Sequence, residues 1–223
     1  MRIFVTGATG FIGSVLVPEL IQAGHHVLGL TRSEAGAQAL RAAGAEVKEG
    51  DIEDLDSLRA AAERANGVIH LAFNHDFSQF KKNCDNDRNA IGAIGQVLLR
   101  SNRPFVVTSG TAIAANVDGK PSTEDGPTAS WNPRAAAEAA AKELVARGVN
   151  TSVVRLPQVH DTRKQGLVPY LLAVTREKGV AAHIGDGSNR WPAAHVSDVA
   201  RLYRLAFEKA DRGAIYHGLT RRV

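Results

Sequence analysis

The 223-residue chain has little of what holds small secreted or metal-bound proteins together. Its one cysteine, Cys84, excludes an internal disulfide and fits a reducing compartment. One cysteine cannot build a zinc-type cluster, and the eight histidines include no His-x-x-x-His pair. No apolar run approaches the roughly 20 residues that cross a bilayer. The first residues enter a strand directly, with no basic segment followed by an apolar one, so no secretory leader is expected and a cytoplasmic location is. Aromatic residues are scarce at 5%, and the three tyrosines, Tyr170, Tyr203 and Tyr216, all come late. Net charge is +4, but the basic residues are scattered. The short clusters Lys81-Lys82, Arg163-Lys164 and Arg221-Arg222 read as solvated surface, so neither nucleic acid nor membrane is an expected partner.

What is present is an ordinary globular composition, 44% hydrophobic and 22% charged, in a chain long enough to bury a sizeable core. Short apolar runs at residues 3–5, 26–30, 46–49, 67–71, 105–109 and 151–156 read as strands. Helical periodicity separates them at 14–23, 38–43, 54–65, 86–101 and 134–147. Six strands alternating with helices predict an α/β fold of the Rossmann type, a doubly wound parallel sheet. Beyond residue 156 loops rich in glycine and proline alternate with helices near 167–177 and 197–208. The expected organisation is a dinucleotide-binding domain over 1–156 and a partial substrate-side lobe over 157–223, interleaved with the sheet.

Between the first strand and first helix stands Thr6-Gly7-Ala8-Thr9-Gly10-Phe11-Ile12-Gly13. Gly7 permits a tight turn, Gly10 lets backbone approach a pyrophosphate, and Gly13 lets the helix pack closely on the strand. With Thr9, Phe11 and Ile12 these residues form an expected phosphate cradle at a helix N-terminus, where free N–H groups favour an anion. The second strand ends in Thr31-Arg32-Ser33 with no carboxylate to take the ribose hydroxyls. Arg32 and Ser33 suit a 2′-phosphate, which favours NADP(H) over NAD(H), although an arginine there also suits a solvated turn. In Gly50-Asp51-Ile52, Asp51 suits the adenine amino group and Ile52 the ring; Asp54 fits either adenine or a helix cap.

These stretches, VTGATGFIG, GDIEDLDSL, VIHLAF, NAIGAIGQVL, FVVTSGT, SVVRLPQVHD and GDGSNRWPAAHVSDVARL, resemble in order the extended short-chain dehydrogenase/reductases, the NAD(P)-dependent epimerase/dehydratase family. The resemblance implies a nicotinamide dinucleotide on the Rossmann domain, with Leu71, Ala72, Phe73 and Ser109 completing its wall. It also implies a small-molecule substrate and, by analogy, a homodimer. Family members usually carry a serine and a Tyr-x-x-x-Lys pair; Ser109 matches the serine, but the expected pair falls on Arg134 and Glu138. A guanidinium does not deprotonate, so Arg134 cannot be the acid. It could orient an anionic substrate or stabilise an oxyanion with Glu138 as partner, or the two could be an ordinary surface ion pair. Candidate proton donors are Ser109, His75 and His160, although each histidine reads more readily as a surface or structurally bonded ring. Asn89 resembles the family's active-site asparagine, and His195 and Asp198 read as structural. The family's substrate lobe continues further, leaving either an open pocket or a sequence short of its end. The expectation is an atypical NADP-dependent oxidoreductase reducing a carbonyl or conjugated double bond. The alternatives are a non-catalytic NADP(H) sensor and, third, an epimerase or dehydratase.

Overall fold

A computed structural model describes residues 1–114, 122–183, 185–188 and 190–219; the Arg221-Arg222 pair lies outside them. Strand and helix alternate as β1 (Arg2–Thr6), α1 (Gly13–Gln22), β2 (His26–Thr31), α2 (Glu34–Ala42), β3 (Glu46–Glu49), α3 (Leu55–Glu63) and β4 (Gly67–His70). There follow α4 (Phe80–Leu98), β5 (Phe105–Gly110), α5 (Ala136–Ala146), β6 (Thr151–Leu156), β7 (Gln158–His160), α6 (Val168–Lys178), β8 (Ala193–His195), α7 (Val196–Lys209) and β9 (Ile215–His217).

Seven strands form one parallel sheet in the order β3-β2-β1-β4-β5-β6-β9. The chain leaves β1 toward one edge and returns at β4 toward the other, so the crevice between β1 and β4 is a topological switch point, where such sheets bind ligands. The central strands are buried on both sides, which explains their near-continuous apolar runs. One core layer joins β1 and β2 to α1 and α7 through Ile3, Val5, Leu16, Leu20, Val199, Tyr203 and Phe207. The other joins Phe4, Val68, Phe105 and Val107 to α3, α4 and α5.

Several elements depart from the sequence reading. The seventh strand, β9, was not expected; it pairs Ile215, Tyr216 and His217 with Val153, Val154 and Arg155 of β6. A run so short, with a single aliphatic residue, carries too little periodicity to read as a strand. β7 and β8 likewise form a separate two-stranded parallel sheet beside the crevice. Helix α4 begins at Phe80, ahead of the expected start at Asn86. The added residues bring Asn83 and Cys84 onto its buried face, in line with Asp87, Ala90, Ile91, Ile94 and Leu98.

Candidate functional site

The ends of β1, β2, β4, β5 and β6 open into one cleft of about 810 Å³, within the size range of small-molecule and cofactor pockets. Its floor is the glycine-rich turn. Gly7 has a positive φ of 67°, and a Cβ there would lie 2.8 Å from Ala72 N. A Cβ on Gly13 would lie 2.1 Å from Gly7 O, so helix and turn touch only because this residue has no side chain. Gly10 donates to Gly7 O at 3.0 Å and Ser14 to Gly10 O at 2.9 Å. Between them the N–H groups of Phe11, Ile12 and Gly13 stand at a helix N-terminus with no backbone partner among the described residues. This cradle fits a dinucleotide diphosphate.

Of the expected cofactor wall, Gly7, Thr9, Gly10, Phe11, Ile12, Gly13, Arg32, Asp51, Ile52, Leu71, Ala72, Phe73 and Ser109 all line the cleft. Ser33 does not; its hydroxyl caps α2 by accepting from Gly36 N at 3.1 Å, which leaves its O–H as the one group it could still offer a phosphate. Asp54 is also a cap, accepting from Ser57 N at 3.0 Å. Arg32 is 74% exposed and meets Asp51 across the rim at 3.4 Å. So long and exposed a contact leaves the guanidinium available to a stronger anion.

The substrate-side wall centres on Arg134. A short turn over Pro133–Ala135 precedes α5, and Asn132 fixes its start by accepting from Arg134 N at 3.0 Å. The guanidinium then makes three contacts: Nη1 donates to Asp87 Oδ2, Nη2 donates to Thr108 O at 3.0 Å, and Cζ stands 4.4 Å above the Phe73 ring. Asp87, completely buried, uses its other oxygen to accept from His70 Nε2 at 3.0 Å. His70 Nδ1 meets Thr6 Oγ1 at 2.8 Å, and Thr6 Oγ1 accepts from Ala72 N at 3.2 Å. A consistent set of protons runs from Ala72 N–H to Thr6, from the Thr6 hydroxyl to His70 Nδ1, and from His70 Nε2–H to Asp87. Burial opposes ionisation of Asp87, but Arg134 and the His70 bond outweigh it and hold the carboxyl below its usual range. The resulting ion pair is neutral overall and is tied through His70 to Thr6, the residue that starts the glycine turn.

Glu138 is not the partner of Arg134. It accepts from Arg155 Nε at 2.7 Å and Nη2 at 2.8 Å, a two-pronged pair in which Arg155 is fully buried. Thr128 donates to the same carboxylate at 2.9 Å, and Arg155 Nη1 meets His217 Nε2 at 3.2 Å. Burial lowers the His217 pKa, keeping that nitrogen free to accept. Burial also pushes Glu138 upward, but Arg155, Ser109 and Thr128 more than compensate. The glutamate at the family's lysine position therefore ties α5 to β6 and β9 in the protein interior. It is neither a surface ion pair nor a group offered to a ligand.

The three proton-donor candidates separate cleanly. Ser109 lines the cleft; its hydroxyl forms no complete hydrogen bond among the described residues yet lies close enough to Glu138 to favour the ionised carboxylate. His75 also lines it, edge-on to Phe73 at 5.3 Å and Phe77 at 6.1 Å. Its pKa is lowered by burial and then by the charge of Arg134. His160 is outside the cleft wall, its ring 5.8 Å from that of His195, because β7 pairs with β8 and turns it away. Asn89 is exposed on α4, and Asp87, two residues earlier, occupies the inward face instead. His195 caps α7, its Nδ1 accepting from Ser197 N at 3.3 Å.

Sequence reasoning missed Asp87, His70 and Lys164. Asp87 stands four residues before Ile91 and seven before Ile94, a carboxylate on the apolar face of a helix; that spacing was its signal. His70 closes an apolar strand run, a weaker sign.

The fold and the glycine cradle define a Rossmann-type nucleotide-binding protein. Residues 3–218 match the NAD dependent epimerase/dehydratase family, and the chain belongs to it. It is 46% identical over 221 residues to an uncharacterized protein of Schizosaccharomyces pombe, covering 98% of this chain and 75% of that one. An uncharacterized protein of Saccharomyces cerevisiae is 39% identical, covering 97% of this chain and 74% of its own. Among solved structures, the UDP-glucose 4-epimerase of Thermus thermophilus in complex with NAD superposes with a TM-score of 0.78 at 21% identity, covering 100% of this chain and 78% of that one. At that identity the likeness concerns the fold. An NAD(P) cofactor is typical of the family. Among the described residues no helix is long and apolar enough to cross a membrane, and no cluster of three or more His, Cys, Asp or Glu could hold a metal.

Proposed function

We propose that the protein is an NADP(H)-dependent oxidoreductase acting on a small, neutral carbonyl compound or conjugated enone, by a route that does not use the family's tyrosine. The observation that carries this reading is the placement of Arg134: at the family's tyrosine position, on the wall of the cleft, and held by three contacts. A nicotinamide dinucleotide held by its diphosphate on the glycine cradle would supply or accept the hydride. The chain's own residues would then bind and polarise the substrate oxygen and move one proton.

Arg134 donates hydrogen bonds but gives up no proton, so its part is to stabilise negative charge developing on that oxygen. Because buried Asp87 already balances its charge, the pair favours a neutral carbonyl over a carboxylate, which would leave a surplus negative charge in a largely apolar cleft. Phe73, Phe77, Phe80 and Leu167 give that part of the wall its apolar character. His75 is the residue suited to exchange the proton with solvent, since its lowered pKa leaves a neutral imidazole near pH 7 that can accept a proton in the oxidative direction. Ser109 is placed to position the substrate.

Two measurements test this. Purified protein mixed with NADPH and a panel of ketones, quinones and enals should oxidise NADPH with at least one class. Binding of NADPH without oxidation across the panel would favour a non-catalytic sensor instead. For the cofactor, Arg32→Ala should weaken NADPH by about tenfold while leaving NADH nearly unchanged, the loss of one charge-assisted contact to the 2′-phosphate. Equal losses for the two would refute the NADP preference.

A further inference from the structure

Resting on the reading that this cleft binds NADP(H), we propose that Lys164 is a second arm of the diphosphate site, closing on the cofactor from the wall opposite the glycine-rich turn. The strands after β6 place it there. After β7, the segment His160–Gln165 doubles back as a tight hairpin: His160 and Gln165 bridge antiparallel, and Asp161 N donates to Lys164 O at 2.8 Å. The Asp161 side chain locks the tip by accepting from Arg163 N at 2.6 Å and Lys164 N at 2.5 Å. Gln158 fixes the exit by accepting from Leu167 N at 3.0 Å. With both ends tied, the tip presents one side chain to the cleft. Lys164 lines it, and its Nζ stands 5.3 Å from the centre of the Phe11 ring.

Phe11 belongs to the turn whose N–H groups at residues 11–13 lack backbone partners among the described residues. A diphosphate resting on those groups would therefore lie beside the ammonium. Among the described residues Lys164 makes a weak ring contact at the rim of the cleft and feels the charge of Asp161, whose carboxylate is occupied by backbone N–H groups of its own loop. A flexible four-carbon stem with a compact charge suits a phosphate oxygen, which needs no planar fork. The two cationic residues would then divide the cofactor: Arg32 at the far end reads the 2′-phosphate, and Lys164 holds the diphosphate that NADPH and NADH share.

This division gives a test that needs no substrate. NADPH and NADH are titrated separately against the full chain, by nucleotide fluorescence, for wild type, Lys164→Ala and Lys164→Arg, at low and high salt. Lys164 is exposed on a hairpin tip, so both variants should fold, and thermal melts of the free proteins check it. The expected result is that Lys164→Ala weakens both nucleotides by a similar factor of about five to ten, with a shallower salt dependence than wild type, and that Lys164→Arg recovers most of the loss. Unchanged affinities would overturn the proposal. So would a loss confined to NADPH, which would assign Lys164 to the 2′-phosphate. Wild-type protein that binds neither nucleotide would overturn the reading of the cleft itself, and the clamp with it.

Discussion

Arg134 and Glu138 stand four residues apart where α5 begins, and each replaces one member of the family's Tyr-x-x-x-Lys pair, yet they occupy different regions of the molecule. Arg134 lies at a cleft wall with 14% of its side chain exposed, paired to a carboxylate that is sealed behind it. Glu138 is sealed, and so is its arginine, which has no exposed surface at all. Both are charged hydrogen-bonded pairs, but of the two only the first faces the cleft. A position in a family motif therefore does not carry its role with it; burial and the partners decide whether the new residue works on a ligand or holds the protein together.

Removing one partner from each pair puts this contrast to its most direct test. Glu138→Ala leaves Arg155 charged, unpaired and without access to water, so it should cost about 3–5 kcal/mol in urea unfolding. The same pair predicts an acid effect. The folded-state pKa of Glu138 is depressed, so its stabilising contribution is complete above the ordinary carboxylate range and is lost as pH falls below it; the cost of Glu138→Ala should shrink accordingly in strong acid. Asp87→Ala should cost less, about 1–3 kcal/mol, because Arg134 can turn toward the water of the cleft once released. If Asp87→Ala proved the more damaging of the two, the distinction between a ligand-facing and a structural pair would fail. The smallest expected effect is that of Ser33→Ala, about 1 kcal/mol for the lost helix cap, with NADPH affinity unchanged. A marked loss of NADPH affinity would assign Ser33 to the phosphate site as well as to the cap.

The glycine turn was legible because its cause is local. Gly13 is required by contact with Gly7 and Ala8 a few residues back, Gly7 by the positive φ of its own turn, and the strand and helix flanking them have strong apolar periods. The Rossmann sheet was legible for the same reason, strand by strand, up to β6. The pairing of Arg134 was not, since four-residue spacing suggested Glu138 whereas its real partner, Asp87, lies 47 residues away on another helix. His160 was attractive because imidazole titrates usefully, but β7 pairs with β8 and turns it from the cleft. Lys164 is a solvated lysine, as the sequence reading has it, but only the fold sets it beside Phe11 on the cleft.

The alternation of strands and helices, the phosphate cradle, the basic residue at the end of β2, and the loss of the family's tyrosine and lysine are all written in the sequence. Each rests on neighbouring residues and their period, so no folding was needed to see it. Which charges meet, which are sealed from water and which face the cleft were settled by the three-dimensional fold alone. Those outcomes depend on chain segments far apart in sequence, which the parallel crossovers bring to one end of the sheet.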